Sequence, residues 1–329
     1  MFGKRLVELD ALRGFAAIAV VFYHYLYRYN EIYGNELLVV KVARFGEYGV
    51  QLFFIISGFV IYWTLSKAKK PLDFVVSRFS RLFPVYWVAV IVTYFAVFLF
   101  GLPGRQVEPV DALLNLLMFH EYFNIQHVDG VYWTLTVELT FYFWIYIFYV
   151  FRAFNNVELC FLPFILLACM RVAGFSYLSD FDDFFILKYI PFFVSGICLY
   201  KIRERFSLKT LAVLILCLCS EFYIYSWKLF IVFLFFTVIF YLSVKGYFKF
   251  LRFRPFVFFG GLSYSLYLIH QNIGYIIINK LVYDGLPYMF GVFIAVLFSV
   301  FLAFILTTYI EKPSMVFIRE LYSKKHEKE

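Results

Sequence analysis

LKTLAVLILCLCSEFYIYSWKLFIVFLFFTVIFYLSV, residues 208–244, decides the architecture of this chain. Past Lys209 at its entrance, the only charged residues in these 37 positions are Glu221 and Lys228. As one helix the stretch would run roughly 55 Å, nearly twice a hydrocarbon core of about 30 Å. Its flanks are basic on both sides, with Lys201, Arg203 and Arg205 before and Lys245, Lys249, Arg252 and Arg254 after. Basic segments stay on the cytoplasmic side of a membrane, so both flanks face the same way. The run is therefore predicted to be a hairpin that turns near Ser226.

The rest of the chain reads in the same terms. Of 329 residues, 64% are hydrophobic and 24% aromatic, and only 16% are charged. A soluble domain of this length carries about 25% charged residues, so lipid must be the solvent here. Disorder, collagen and small secreted scaffolds fall on the same arithmetic. The net charge of +8 suits cytoplasmic loops facing anionic lipid, and no nucleic-acid partner is expected. Five cysteines, all inside apolar runs and none in a C-x-x-C pair, read as small buried hydrophobes, with no metal site expected. Lys4 and Arg5 precede an apolar run that resembles a signal peptide. Asp10 and Arg13 interrupt it and no small-residue cleavage site follows, so a retained first span is expected.

Apolar runs of spanning length are predicted at 10–27, 47–66, 84–101, 132–151, 159–175, 184–200, 209–226, 227–244, 256–279 and 289–310. The expected fold is an all-α polytopic bundle of about ten transmembrane helices. With the N-terminus inside, cytoplasmic segments hold 21 of the 30 Lys and Arg and outer segments hold 8. The outer loops collect Glu108, Asp111, Glu121, Asp129, Asp180, Asp182 and Asp183. Both termini are expected to be cytoplasmic. Without a repeat, a linker or a low-complexity tail, residues 1–329 are expected to form one transmembrane domain with no appended extracytoplasmic domain.

Ionisable residues inside spans are costly and point to function. The first span carries Asp10, Arg13 and His24, the fourth Glu138, and the ninth His270 with Gln271 and Asn272. Arg13 and His24 stand eleven residues apart, which puts them on one helix face about 16 Å apart along the axis. Counted from the span ends, His24, His270 and Glu138 reach one depth toward the outer side, as a shared polar chamber would require. Blander readings stand beside these. A membrane His also serves as polar glue between helices, Asp10 also neutralises Arg13, and Arg78 and Arg81 also mark a cytoplasmic loop. Ser57-Gly58 reads as close helix packing, since no base sits at local spacing.

Five motifs, in order, carry a resemblance. Glu8-Leu-Asp-Ala-Leu-Arg-Gly14 followed by His24 gives R-x10-H. Gly49-Val-Gln-Leu-Phe-Phe-Ile-Ile-Ser-Gly-Phe59 follows. Arg78-Phe-Ser-Arg81 gives R-x-x-R, Trp133-Thr-Leu-Thr-Val-Glu138 gives W-x-L-x-x-E, and Leu262-Ser-Tyr-Ser-Leu-Tyr-Leu-Ile-His270 closes the series. Together they resemble the membrane acyltransferase 3 family across essentially the whole chain. Gln51 departs from the pattern, standing where many relatives have an acidic residue.

The resemblance implies an integral inner-membrane O-acyltransferase. It would move an acyl group, commonly acetyl, from cytoplasmic acyl-CoA to a hydroxyl of an envelope or exported glycan, or of a lipid-linked sugar. Acyl-CoA would be a co-substrate, with no permanently bound cofactor. The chemistry needs a base near neutral pH, which suits His24, and Glu138 suits either holding its tautomer or binding the sugar. Arg13, Arg78 and Arg81 suit the phosphates of CoA, because guanidinium groups bind phosphate through charge-assisted forks. Asp10, Ser57, Trp133 and His270 are expected to support the site or the acceptor. A transporter or flippase is the competing expectation, since it also buries charge at mid-membrane.

Overall fold

A computed structural model describes residues 6–34, 40–175 and 181–326. Lys4, Arg5 and Asp180 lie outside the described residues. Among those described, the fold is all-α, with ten long helical segments and short helices between some of them. They are α1 (Val7–Ile32), α2 (Lys41–Leu65), α3 (Pro71–Phe100), α4 (Gly130–Val150), α5 (Phe154–Val172), α6 (Asp182–Glu204), α7 (Leu208–Ile224), α8 (Trp227–Val244), α9 (Arg254–Tyr283) and α10 (Tyr288–Lys324).

Eight of these are long and apolar enough to cross a membrane, against the ten expected. The other two, α7 and α9, form where spans were predicted. Helix α7 has only 17 residues, and α9 is diluted by Ser263, Ser265, His270, Gln271 and Asn272, all buried. The turn in the decisive stretch falls where predicted. Helix α7 ends at Ile224, the backbone of Ser226 is extended, and the Ser226 hydroxyl accepts from the Leu229 N–H to start α8. Glu221, the acid of that stretch, is fully buried, and neither carboxylate oxygen has a hydrogen-bond partner.

Two expectations need correcting. Arg78 and Arg81 sit inside α3, not in a loop, because the helix starts at Pro71 and runs without a break through Pro84. Phe79 stacks on Phe83 and Phe83 meets Trp87 edge-on, each pair at i, i+4 spacing along one side of the helix. The cysteines are not uniformly buried either. Cys198 and Cys217 are enclosed, Cys160 and Cys169 partly so, and Cys219 is exposed; all five are free thiols. On a membrane helix an apolar residue gains as much by facing lipid as by facing protein, so apolar character does not fix burial.

The chain forms two compact units whose boundaries fall inside helices. Residues 1–13, 50–71 and 137–257 make the first, and residues 14–49, 72–136 and 258–329 the second. In the first unit α2 and α6 touch backbone to backbone. A Cβ on Gly58 would lie 2.0 Å from the Phe193 carbonyl oxygen, and one on Gly196 2.0 Å from that of Ile55. Close packing therefore does explain Gly58. Around this seam Phe141 stacks on Phe193 at 4.2 Å, and Phe59 meets Phe240 edge-on. The second unit holds the two intramembrane histidines.

Candidate active site

Helix α1 changes its winding at the first histidine. Over Tyr23–Arg28 it becomes a π-helix, so that the Tyr29 N–H reaches back five residues to the His24 carbonyl. Such single wide turns recur at functional sites because they re-aim side chains. Here the His24 ring, half-buried, folds back so that Nδ1 lies 2.9 Å from the Val20 carbonyl oxygen. From α9, His270 brings its Nε2 to 3.0 Å from that same His24 Nδ1, with the rings edge to face. His24 and His270, predicted separately, are thus one pair.

The carbonyls fix both tautomers. His270 Nδ1 lies 3.1 Å from the Leu266 carbonyl oxygen and 2.9 Å from that of Tyr267. A carbonyl only accepts, so neutral His270 carries its proton on Nδ1 and presents a lone pair at Nε2. His24 Nδ1 faces that lone pair and the Val20 carbonyl, so it too carries the proton. His24 Nε2 is left as an unprotonated acceptor on a part-exposed ring.

The pair is braced from below by groups that sequence reading missed. Tyr25, fully buried, donates to the His270 carbonyl oxygen at 2.6 Å and lies 2.8 Å from Ser299 Oγ. Its own carbonyl receives the Tyr288 hydroxyl, and Asn30 donates to that hydroxyl at 2.6 Å. The Tyr25 ring sits where a Cβ of residue 274 would be, and residue 274 is glycine. One tyrosine among 28 gives no sequence signal of this kind.

The second unit holds a further polar cluster. Asp129, fully buried, accepts from the Asn272 N–H at 3.1 Å and the Val131 N–H at 3.3 Å. Burial pushes its carboxyl up to about 6, although those two N–H groups and the charge of Arg105 oppose the shift. The positive charge of Arg105 also bears on His24. Both Arg105 Nη1 and Gln271 Oε1 approach Gly130, within 3 Å of where a Cβ would stand (2.9 and 2.8 Å). Gly130 opens the space into which both side chains reach.

Nearby, His120 Nε2 lies 2.7 Å from His127 Nδ1. Burial, helped by His127, holds the His120 imidazole down to about 4 against an ordinary 6.5. A depressed histidine adds stability that is complete above about pH 6.5 and is lost as pH falls toward 4. The raised Asp129 carboxyl pulls the other way over the same range, so the His120 share is read as a difference: between pH 6.5 and 4 the wild type should lose up to about 3 kcal/mol more than His120→Gln. Identical pH dependence of the unfolding midpoint in the two proteins would remove His120 as a source.

The first unit carries a second polar cluster. Ser57 Oγ donates to Glu138 Oε1 at 2.6 Å, and Tyr142 donates to the same oxygen at 2.5 Å. The acid that sequence spacing could not supply to Ser57 comes from another helix. Glu8, buried, pairs with Arg252 Nε at 2.6 Å. Asp10 and Arg13 are half-buried on the opening turns of α1, and Trp133 opens the regular α-helix of α4.

The arginines of α3 have a third companion. From α10, Arg319 donates to Ser80 Oγ at 3.2 Å and to the Ser77 carbonyl oxygen at 3.3 Å. It also reaches Ser77 Oγ at 3.4 Å, the same hydroxyl that Arg78 donates to at 3.2 Å. Arg81 adds like charge within electrostatic range of Arg319. Tyr322, a turn further along α10, bonds Asp73 at 2.9 Å and fixes the helices' register.

These features define a multi-pass membrane protein with a paired imidazole site and a separate guanidinium cluster. The chain belongs to the acyltransferase 3 family, whose acyltransferase domain it matches over residues 6–309. Among curated relatives, it is 30% identical to nodulation protein 10 of Rhizobium leguminosarum bv. viciae, over 41% of this chain and 42% of that one. It is 29% identical to the peptidoglycan O-acetyltransferase OatA of Listeria monocytogenes, over 42% of this chain and 23% of that one. The exopolysaccharide production protein ExoZ of Rhizobium meliloti is 36% identical over 30% of this chain and 32% of its own. The matched regions span less than half the length of these relatives. No solved structure matches.

Proposed function

We propose that this protein transfers an acyl group, acetyl in the first instance, from acyl-CoA to a hydroxyl of a glycan, within a cytoplasmic membrane and with both termini cytoplasmic. The observation that carries the reading is the His24–His270 pair with its tautomers set by carbonyls. A hydroxyl proton is taken by His24 Nε2 as the alcohol oxygen bonds to the thioester carbonyl carbon. The imidazolium formed keeps its Nδ1–H on His270 Nε2 and the Val20 carbonyl, which share its charge. The C–S bond then breaks, and the leaving thiolate takes the proton back from Nε2. An ester and free CoA result.

Arg78 and Arg81, with Arg319, are the groups suited to the phosphates of CoA, and Arg13 is proposed as a further donor-binding cation. Three guanidinium groups from two helices offer a polyphosphate what single positive-inside residues would not. Ser57 and Glu138 are proposed as a supporting pair, and Asp10 and Trp133 as further supporting residues. The 21-to-8 split of Lys and Arg supports the orientation. The family relatives named for acetylating peptidoglycan and for exopolysaccharide production support a glycan acceptor.

Incubation of the purified protein with radiolabelled acetyl-CoA and glycans tests the proposal, and label in the glycan separates an enzyme from a transporter. For the donor site, Arg78→Ala with Arg81→Ala should weaken CoA binding by calorimetry at least tenfold, and Arg319→Gln by a smaller factor. Unchanged binding in the double variant would reduce these arginines to topology signals.

A further inference from the structure

A cavity of about 330 Å³ lies in the second unit, where α3 ends and the following loop begins. Its two walls differ in kind. From α3 come Tyr94 and Phe98, stacked with ring centroids 6.3 Å apart and planes 17° from parallel. From the loop come Arg105, Gln106 and Glu108, a guanidinium, an amide and a carboxylate, and buried Val128 also lines it. Two aligned rings offer a flat apolar face. The loop residues offer planar groups that donate and accept in pairs.

That combination fits a particular chemistry. A sugar ring has an apolar face of C–H groups and a rim of hydroxyls that both donate and accept. Aromatic rings take the first, and amide, carboxylate and guanidinium groups take the second. The volume lies at the small end of ligand cavities, which suits a sugar unit within a chain and not a folded polymer. A purely lipid ligand would leave Gln106 and Glu108 without purpose, and a phosphate would meet Glu108 as a like charge.

One residue of the cavity, Arg105, also belongs to the surroundings of the histidine pair. It lines the cavity and, at its other side, enters the space opened by Gly130 together with Gln271, the residue after His270. Its charge bears on both His24 and Asp129. From these observations we infer that the cavity formed by Tyr94, Phe98, Arg105, Gln106 and Glu108 binds a neutral, hydroxyl-rich sugar unit of the acceptor. Arg105 is the shared wall past which the acceptor hydroxyl reaches His24. The inference rests on the acyl-transfer reading for the reaction that the bound sugar enters, while the sugar site itself stands on the cavity's chemistry.

The test uses full-length protein in lipid nanodiscs and three tetrasaccharide probes, chitotetraose, cellotetraose and maltotetraose. Saturation-transfer difference NMR should show at least one of them bound to the unmodified protein. Phe98→Ala and Glu108→Gln should each weaken that binding about tenfold or more, and both variants should keep wild-type binding of radiolabelled acetyl-CoA, which certifies the fold. Should a variant lose acetyl-CoA binding, the milder Phe98→Leu and Gln106→Ala replace it, with the same loss of sugar expected. Absence of all three sugars from the unmodified protein overturns the inference, as does equal sugar binding by variants that still bind acetyl-CoA. Sugar bound without any acetyl-CoA binding or label transfer leaves the cavity assignment in place and removes the acyl-transfer reading instead.

Discussion

Replacing His24 by alanine is expected to lower label transfer from acetyl-CoA by about 10²–10⁴-fold, or roughly 3–5 kcal/mol of barrier, while CoA binding and thermal stability stay near wild type. The size follows from the loss of general-base catalysis. The selectivity follows from position: His24 is half-buried, and its bonds run to the adjacent turn of its own helix and to His270, so its removal leaves no buried charge behind. His270→Ala should cost less, about 10-fold to 10²-fold, because it removes the partner that holds the His24 tautomer but not the base itself. His270→Gln, which keeps an acceptor near Nδ1 of His24, should recover part of that loss. The reverse ranking, with His24→Ala active and His270→Ala dead, would move the base to α9. Loss of CoA binding in His24→Ala would make it a donor-site residue.

Gly274→Ala should damage both stability and the histidine pair through a single added methyl group. A Cβ there would lie 2.0 Å from Tyr25 Oη and 2.2 Å from its Cζ. The tyrosine has no room to retreat, since it is fully buried and its hydroxyl is committed to the His270 carbonyl and Ser299. Overpacking of this kind costs about 1–3 kcal/mol, and here it also pushes His270 off its support. Both the unfolding midpoint and label transfer should fall. Gly261→Ala is the control on the same helix, because nothing lies within 4 Å of its Cβ position, and it should be neutral or slightly stabilising. A stable, fully active Gly274→Ala would mean that Tyr25 does not hold the histidine pair in place.

The candidate site was legible where chemistry is expensive. Ionisable groups in a hydrophobic run stand out because each one costs several kcal/mol, so His24, His270 and Glu138 could be picked out one by one. Their partners could not. Ser57 finds Glu138 on another helix, 81 positions away, and Arg319 meets Ser77 across 242 positions. Arg105 sits in a short loop, where a single arginine carries no signal. Arg78 and Arg81 read as a cytoplasmic loop because basic residues ahead of the apolar run at 84–101 fit the positive-inside rule, whereas the helix begins at Pro71 and continues through Pro84.

By itself the sequence determined the solvent, the all-α class and the hairpin at Ser226, because these follow from composition, from the length of apolar runs and from the side on which charge is tolerated. It also carried the family, through five short motifs in order. Only the tertiary structure decided that the two histidines form one pair and which ring nitrogen is left bare. That choice depends on hydrogen-bond directions set by the π-turn of α1 and by carbonyls on α9, and a residue's type does not contain the direction in which its neighbours' carbonyls point.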